Sequence, residues 1–348
     1  MSKKLFFNIF KFIVFLGFGI FLLWLIMRNV DEDQKAEIKE SFLHANYWWV
    51  LLSVAIGILS HVLRAVKWKM MLEPLGKSPR LKTTFYSVMI GYLVNMAIPR
   101  LGEVTRCGIL QRYEKIPFDK SLGTLVVERS IDLLSLILVT ILLFIVQFDV
   151  IWNFFDTKVV QPYLQKFFSN ISALLIAGGI LILLVIIVYF LIKRWKHTTG
   201  YLKFKLFLMN IKEGIIAVKH IKNFPLFIFY SVAIWICYFL MVYVCFNAMQ
   251  ETTHFGAGEA LAILVFGTVG IISTPGGIGA YHLIVTETLV TLYALNEVHA
   301  ISFSWIAWGC QTIMIIFIGL LSLLLLSRVK PPEELSNEET GSDTTENL

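Results

Sequence analysis

Apolar positions in this chain come in long uncharged blocks, with neither the alternation of a half-buried strand nor the one-sided stripe of a surface helix. Blocks near the roughly 20 residues that cross a hydrocarbon layer as helix occupy 12–27, 47–66, 122–146, 171–192, 224–249 and 301–327. Segments apolar around their whole circumference are built for lipid. Six full transmembrane helices are therefore expected, in an all-α polytopic membrane protein.

Two further apolar stretches are interrupted. "VNMAIPRLGEVTRCGIL" at 94–110 breaks at Pro99 and Gly102 and admits Arg100, Glu103 and Arg106. "FGTVGIISTPGGIGAYHLIV" at 266–285 breaks at Pro275, Gly276, Gly277 and Gly279. Proline lacks an amide hydrogen and disfavours helix in its predecessor, and glycine accepts a tight turn. Each stretch reads as a short arm, a break and a second short arm. Irregular backbone at membrane depth must be shielded by protein or line a water-filled cavity.

Basic residues decide how these stretches thread, because Lys and Arg favour the cytoplasmic side. If 83–98 crossed fully, the cations after Pro99 and every later cationic loop would change sides. If both interrupted stretches enter and leave on the same face, 23 Lys and Arg fall in cytoplasmic segments and five outside, with Arg64 and Arg129 inside spans. The expected architecture is six spans plus two opposed re-entrant hairpins, an apparent eight-helix inverted-repeat bundle with both termini cytoplasmic. Inverted-repeat transporters place a substrate site where such hairpins meet. Ordinary short spans kinked by Pro and Gly are the alternative.

Composition supports this picture: 57% of residues are hydrophobic and only 16% charged, too few charges to solvate a globular surface of this length. The first block follows Lys3, Lys4 and Lys11, but "LIMRNVDEDQ" offers no small-residue cleavage site, so an uncleaved anchor is expected. The membrane domain is assigned to 1–328. Residues 329–348 are acidic and poor in large apolar side chains, and are expected to be a disordered cytoplasmic tail. The formal charge of +6 resides in membrane-flanking loops without a nucleic-acid motif, so no nucleic-acid partner is expected. Cys107, Cys237, Cys245 and Cys310 are scattered without C-x-x-C spacing, which points to neither disulfides nor zinc. No metal or cofactor is indicated. No nucleophile-elbow, zinc-protease or Walker-type motif occurs either, so hydrolysis and ATP-driven pumping are not expected.

The chemistry lies in buried charge. In "LGTLVVERSIDLLSLILVTILLF" the span at 122–146 carries Glu128, Arg129 and Asp132. Glu128 and Asp132 are four apart and share a face, and Arg129 and Asp132 are spaced to pair. Ionisable groups inside a membrane helix are costly and by default functional. The bland alternative is an ion-pair network clamping this helix to the first hairpin, whose Arg100, Glu103 and Arg106 need counter-charges. Arg64 is a secondary candidate; with Lys67 it is compatible with snorkelling at the end of the second span, Trp68 serving as interfacial anchor. His61, one turn deeper, is expected to be structural. Residues 201–221 read as an amphipathic interfacial helix.

At "IPRLGEVTR", "VVERSIDLL" and "TPGGIGAYH" the sequence resembles the lysylphosphatidylglycerol synthase transmembrane-region family, the flippase-like domain of bacterial multiple peptide resistance factors. The resemblance covers about residues 5–328, on Pro99, Gly102, Glu103, Arg106, Glu128, Arg129, Asp132, Pro275, Gly276, Gly277 and Gly279. It implies a domain of the bacterial inner membrane that moves an anionic or aminoacylated lipid, or a lipid-linked phosphate, between leaflets. Tyr281 and His282 stand where relatives often have an acidic residue after the late glycines, and are secondary site candidates. The aminoacylating relatives add a large soluble domain, whereas only about 20 polar residues follow the last span here, so lysine transfer is not expected. A lipid translocator with Arg100, Glu103, Arg106, Glu128, Arg129 and Asp132 around the headgroup is the first expectation. A membrane transferase using Glu128 or Asp132 as base, and a non-transporting adaptor, are the alternatives.

Overall fold

A computed structural model of the chain describes residues 16–28, 30–75, 78–155 and 221–329. Among these residues every regular element is helical: α1 (Leu16–Met27), α2 (Glu32–His44), α3 (Tyr47–Leu72), α4 (Leu81–Ala97), α5 (Leu101–Glu114), α6 (Phe118–Val146), α7 (Phe148–Phe155), α8 (Phe224–Cys245), α9 (Ala257–Ser273), α10 (Ala280–Tyr293) and α11 (Glu297–Leu326). α3, α6, α11 and α8, the last with its 3-10 extension to Ala248, are long and apolar enough to cross a membrane. They coincide with four expected spans. α1 is the described part of the first. The expected span at 171–192, the amphipathic segment at 201–221 except Ile221, and the acidic tail from 330 lie outside the described residues.

Local chemistry sets the helix starts. Asn46, Asn223 and Asn296 accept from backbone amides at the first turns of α3, α8 and α11, and Asp31 forms a reciprocal capping box with Gln34 on α2. Each cap satisfies an amide that lacks an intrahelical partner. Along α6, Ser130, Ser135 and Thr140 donate to carbonyls four residues earlier, which lets an apolar helix carry hydroxyls.

The described helices form two halves of like construction: α3, the α4–α5 hairpin and α6; then α8, the α9–α10 hairpin and α11. Each half centres on a packed core, the first of which also takes in Phe227 of α8. Trp68, Leu72, Val88, Cys107, Leu110 and Leu125 fill the first; Phe246, Ile263, Tyr281, Val285 and Phe303 are among those filling the second. α3 lies along α8 and α11 against α4, which joins the halves.

Both interrupted stretches are helical hairpins with the arms the sequence suggests. In the first, Ile98 is extended before Pro99, and Arg100 turns the chain at φ 68° into α5. The arms touch through glycine: a Cβ on Gly102 would lie 2.0 Å from the Gly91 carbonyl oxygen. Asn95 of α4 accepts from the Gly102 amide at 2.7 Å, so one arm caps the other. In the second, Thr274 is extended before Pro275, and Gly276, Gly277 and Gly279 take φ of 62°, 74° and 76°. Tyr281 fills the space left by Gly267 and Gly270 on the opposite arm.

The hairpins meet at their tips. A Cβ on Gly276 would sit 3.8 Å from the Met96 side chain at the end of α4. α1 seats against the second tip, where a Cβ on Gly279 would collide with the Gly19 carbonyl oxygen.

Candidate functional site

α3, α5 and α6 converge on one carboxylate. Glu128, only 1% exposed, accepts from Arg64 Nη1 on Oε1 at 2.5 Å and from Arg106 Nη2 on Oε2 at 3.0 Å. One turn on, Asp132 accepts from the same Arg64 Nη1 at 2.6 Å and from Lys67 Nζ at 3.3 Å. Arg64 Nη2 donates to the Tyr238 hydroxyl of α8 at 3.1 Å. The Arg106 guanidinium lies 4.1 Å from the centre of the Trp68 ring, whose Nε1 donates to Thr124 at 2.9 Å. Glu128 and Asp132 stand roughly 15 and 21 Å along a helix roughly 43 Å long, between a third and a half of the way from its start.

The network is not neutral. Arg64, Lys67 and Arg106 bear three positive charges against the two carboxylates of Glu128 and Asp132. The Nε atoms of Arg64 and Arg106 are buried without partners among the described residues. A buried excess of positive charge in low dielectric is stabilised by any anion that can approach it.

A more open set of charges flanks this cluster. Arg129 Nη2 donates to Glu103 Oε1 at 2.6 Å, with the arginine side chain 47% exposed among the described residues. Asn95 donates to the same carboxylate oxygen at 3.4 Å. Arg100 is exposed at the hairpin tip and forms no ion pair among the described residues. Ile98, Leu101 and Val104, close to it in the chain, are also exposed, so the hairpin tip carries apolar side chains beside these charges.

The expected residues thus fall in three places. Arg64, Arg106, Glu128 and Asp132 form the inner network, Arg100, Glu103 and Arg129 the open edge, and Tyr281 and His282 the second hairpin. Three local expectations are corrected. Arg129 pairs with Glu103 rather than with Asp132, because Asp132 faces α3 and Arg129 faces α5. Lys67 does not snorkel: at 1% exposure it is a member of the network. Trp68 is no interfacial anchor but wholly buried under Arg106. Sequence reasoning missed Tyr238, which lies on a different helix from the Arg64 it serves, Thr124, which accepts from Trp68 across helices, and Asn95. The polar stripe His61, Arg64, Lys67 and Trp68 along an otherwise apolar helix was the available signal for α3.

The family profile described as "Lysylphosphatidylglycerol synthase TM region" matches residues 8–319. The UPF0104 membrane protein MJ1595 of Methanocaldococcus jannaschii is 29% identical over 132 residues, which cover 37% of this chain and 38% of that protein. The alignment therefore spans well under half of that relative. No solved structure matches the chain.

Proposed function

Because the chain belongs to the lysylphosphatidylglycerol synthase transmembrane-region family, we propose that this polytopic membrane protein holds an anionic lipid headgroup beside the first hairpin and passes it between leaflets. The observation that carries the reading is the uncompensated positive charge of the Arg64, Lys67, Arg106, Glu128 and Asp132 network next to the open Arg100 and Arg129. Arginine suits a phosphate oxygen pair through its planar donor fork. The positive end of the α5 dipole adds to the attraction. Re-entry of both hairpins from opposite faces would bring this edge and the second tip near the midplane, as in inverted-repeat transporters.

Arg100 strengthens the case. It is a non-glycine residue at φ 68°, a conformation that costs an L-residue roughly 1–2 kcal/mol. Glycine would fit the turn without that cost; what arginine adds is an exposed guanidinium at the tip. The transferase alternative fares worse on geometry: both oxygens of Glu128 accept from arginines, which leaves it poorly placed to take a proton from a substrate.

Lipid retention tests the proposal. Protein purified from mixed phosphatidylglycerol and phosphatidylethanolamine should retain the anionic lipid, measured by mass spectrometry. Loss of two charge-assisted contacts in Arg100→Ala with Arg129→Ala should lower retention at least about tenfold. Equal retention of both lipids by the wild type would defeat the reading.

A further inference from the structure

We infer that His282 is a proton-binding site that couples proton uptake to movement of the second hairpin; what the coupling drives rests on the lipid-translocation reading above. His282 is 1% exposed, and neither ring nitrogen has a partner among the described residues. A neutral imidazole has one donor and one acceptor to satisfy, so sealing both away is unfavourable. The ring is boxed by aromatics, its centre 4.2 Å from Trp305 and 4.9 Å from Trp308, with Tyr281 edge-on at 6.1 Å. Indole faces stabilise a cation.

The box is attached to the tip. His282 is the third residue of α10, just after the Gly279 turn, and Trp308 Nε1 donates to the Gly276 carbonyl at 2.8 Å. One indole therefore walls the imidazole and holds the turn, so displacing the tip opens the box.

No built-in counter-charge serves His282 among the described residues. On α10, Glu287 is exposed and Tyr281 presents its ring. On α11, His299 pairs with Glu37 of α2, and Cys310 bonds to the Ala307 carbonyl beside Ser53. On α9, Glu259 caps Gly256; just after α1, Arg28 lies over Trp24. A proton on His282 must then be met by water or ligand admitted as the tip moves. Whatever favours the charged ring favours the open tip, and the reverse holds by linkage.

Two measurements test this. Tryptophan emission of the protein in nanodiscs, titrated from about pH 8 down to about pH 3, through and below the ordinary histidine range, should fall as an imidazolium forms beside Trp305 and Trp308. His282→Gln and His282→Asn should abolish that transition, and His61→Gln should keep it. In proteoliposomes, an imposed pH gradient should speed translocation of a fluorescent phosphatidylglycerol at least about twofold, and His282→Gln should lose the response. Absence of the emission transition in the wild type, or its persistence in a folded His282 variant, overturns the inference. An emission transition that depends on His282 in a protein that moves no phosphatidylglycerol would keep the proton site and remove the lipid reading.

Discussion

Arg64 is the residue on which the network turns, since one of its nitrogens serves both Glu128 and Asp132. Removing it leaves the buried Glu128 and the part-buried Asp132 each short of a partner, and breaking a buried pair this way costs about 3–5 kcal/mol. Arg64→Ala should therefore lower the thermal midpoint in detergent far more than Arg129→Ala, whose half-exposed pair with Glu103 is worth about 1 kcal/mol or less. Equal shifts would mean that the network does not bear on stability. Arg106→Lys keeps the charge but loses both the two-nitrogen contact with Glu128 and the stacking on Trp68, at about 1–3 kcal/mol. Glu128, Arg129 and Asp132 were legible because charge inside an apolar block stands out. That α6 pairs with the first hairpin was legible too, because Glu103 and Arg106 needed counter-charges; the pairing with α3 was not, since Arg129 and Asp132 are spaced to pair on one helix but rotation about α6 sends them to different neighbours, and no helix in isolation fixes that rotation.

At the level of elements, the hairpins depend on glycine where backbone meets backbone. Gly102→Ala would drive a methyl into the Gly91 carbonyl, and Gly279→Ala into that of Gly19 at a backbone angle that glycine tolerates best. Gly108 has nothing within 4 Å of its missing Cβ, so Gly108→Ala is the matched control and should be neutral or slightly stabilising in a thermal-shift assay. Comparable losses for all three would contradict the packing of the hairpins. The sequence shows where these hairpins bend, because Pro99, Pro275 and the neighbouring glycines act locally. It does not show that Asn95 caps the facing arm, which needs the two arms already docked.

For the whole molecule, the two halves share a plan but not a chemistry. The first surrounds its hairpin with charge, the second with His282, Trp305, Trp308 and sulfur. Opposed entry of the hairpins is the topological expectation, tested by single-cysteine labelling in a cysteine-free background. Labels at Lys82 and Lys120 should react only from the cytoplasmic side, and labels at His254 and Glu297 only from the other. Opposite sides within either pair would replace re-entry by full crossing. The apolar blocks revealed the spans because lipid demands them whatever the neighbours are. They could not reveal that the tips meet at Met96 and Gly276, a contact between halves far apart in sequence.

The most direct measurement is leaflet exchange itself: proteoliposomes carrying a fluorescent phosphatidylglycerol, with dithionite added outside to quench the accessible leaflet. Wild-type protein should expose the inner-leaflet probe faster than protein-free vesicles. Lys35→Ala, which removes an exposed pair with Glu32, should match the wild type, and the Arg100→Ala, Arg129→Ala double variant should slow exchange at least about tenfold. Exchange no faster than in protein-free vesicles, or a double variant as fast as the wild type, would contradict an anionic headgroup site at the first hairpin.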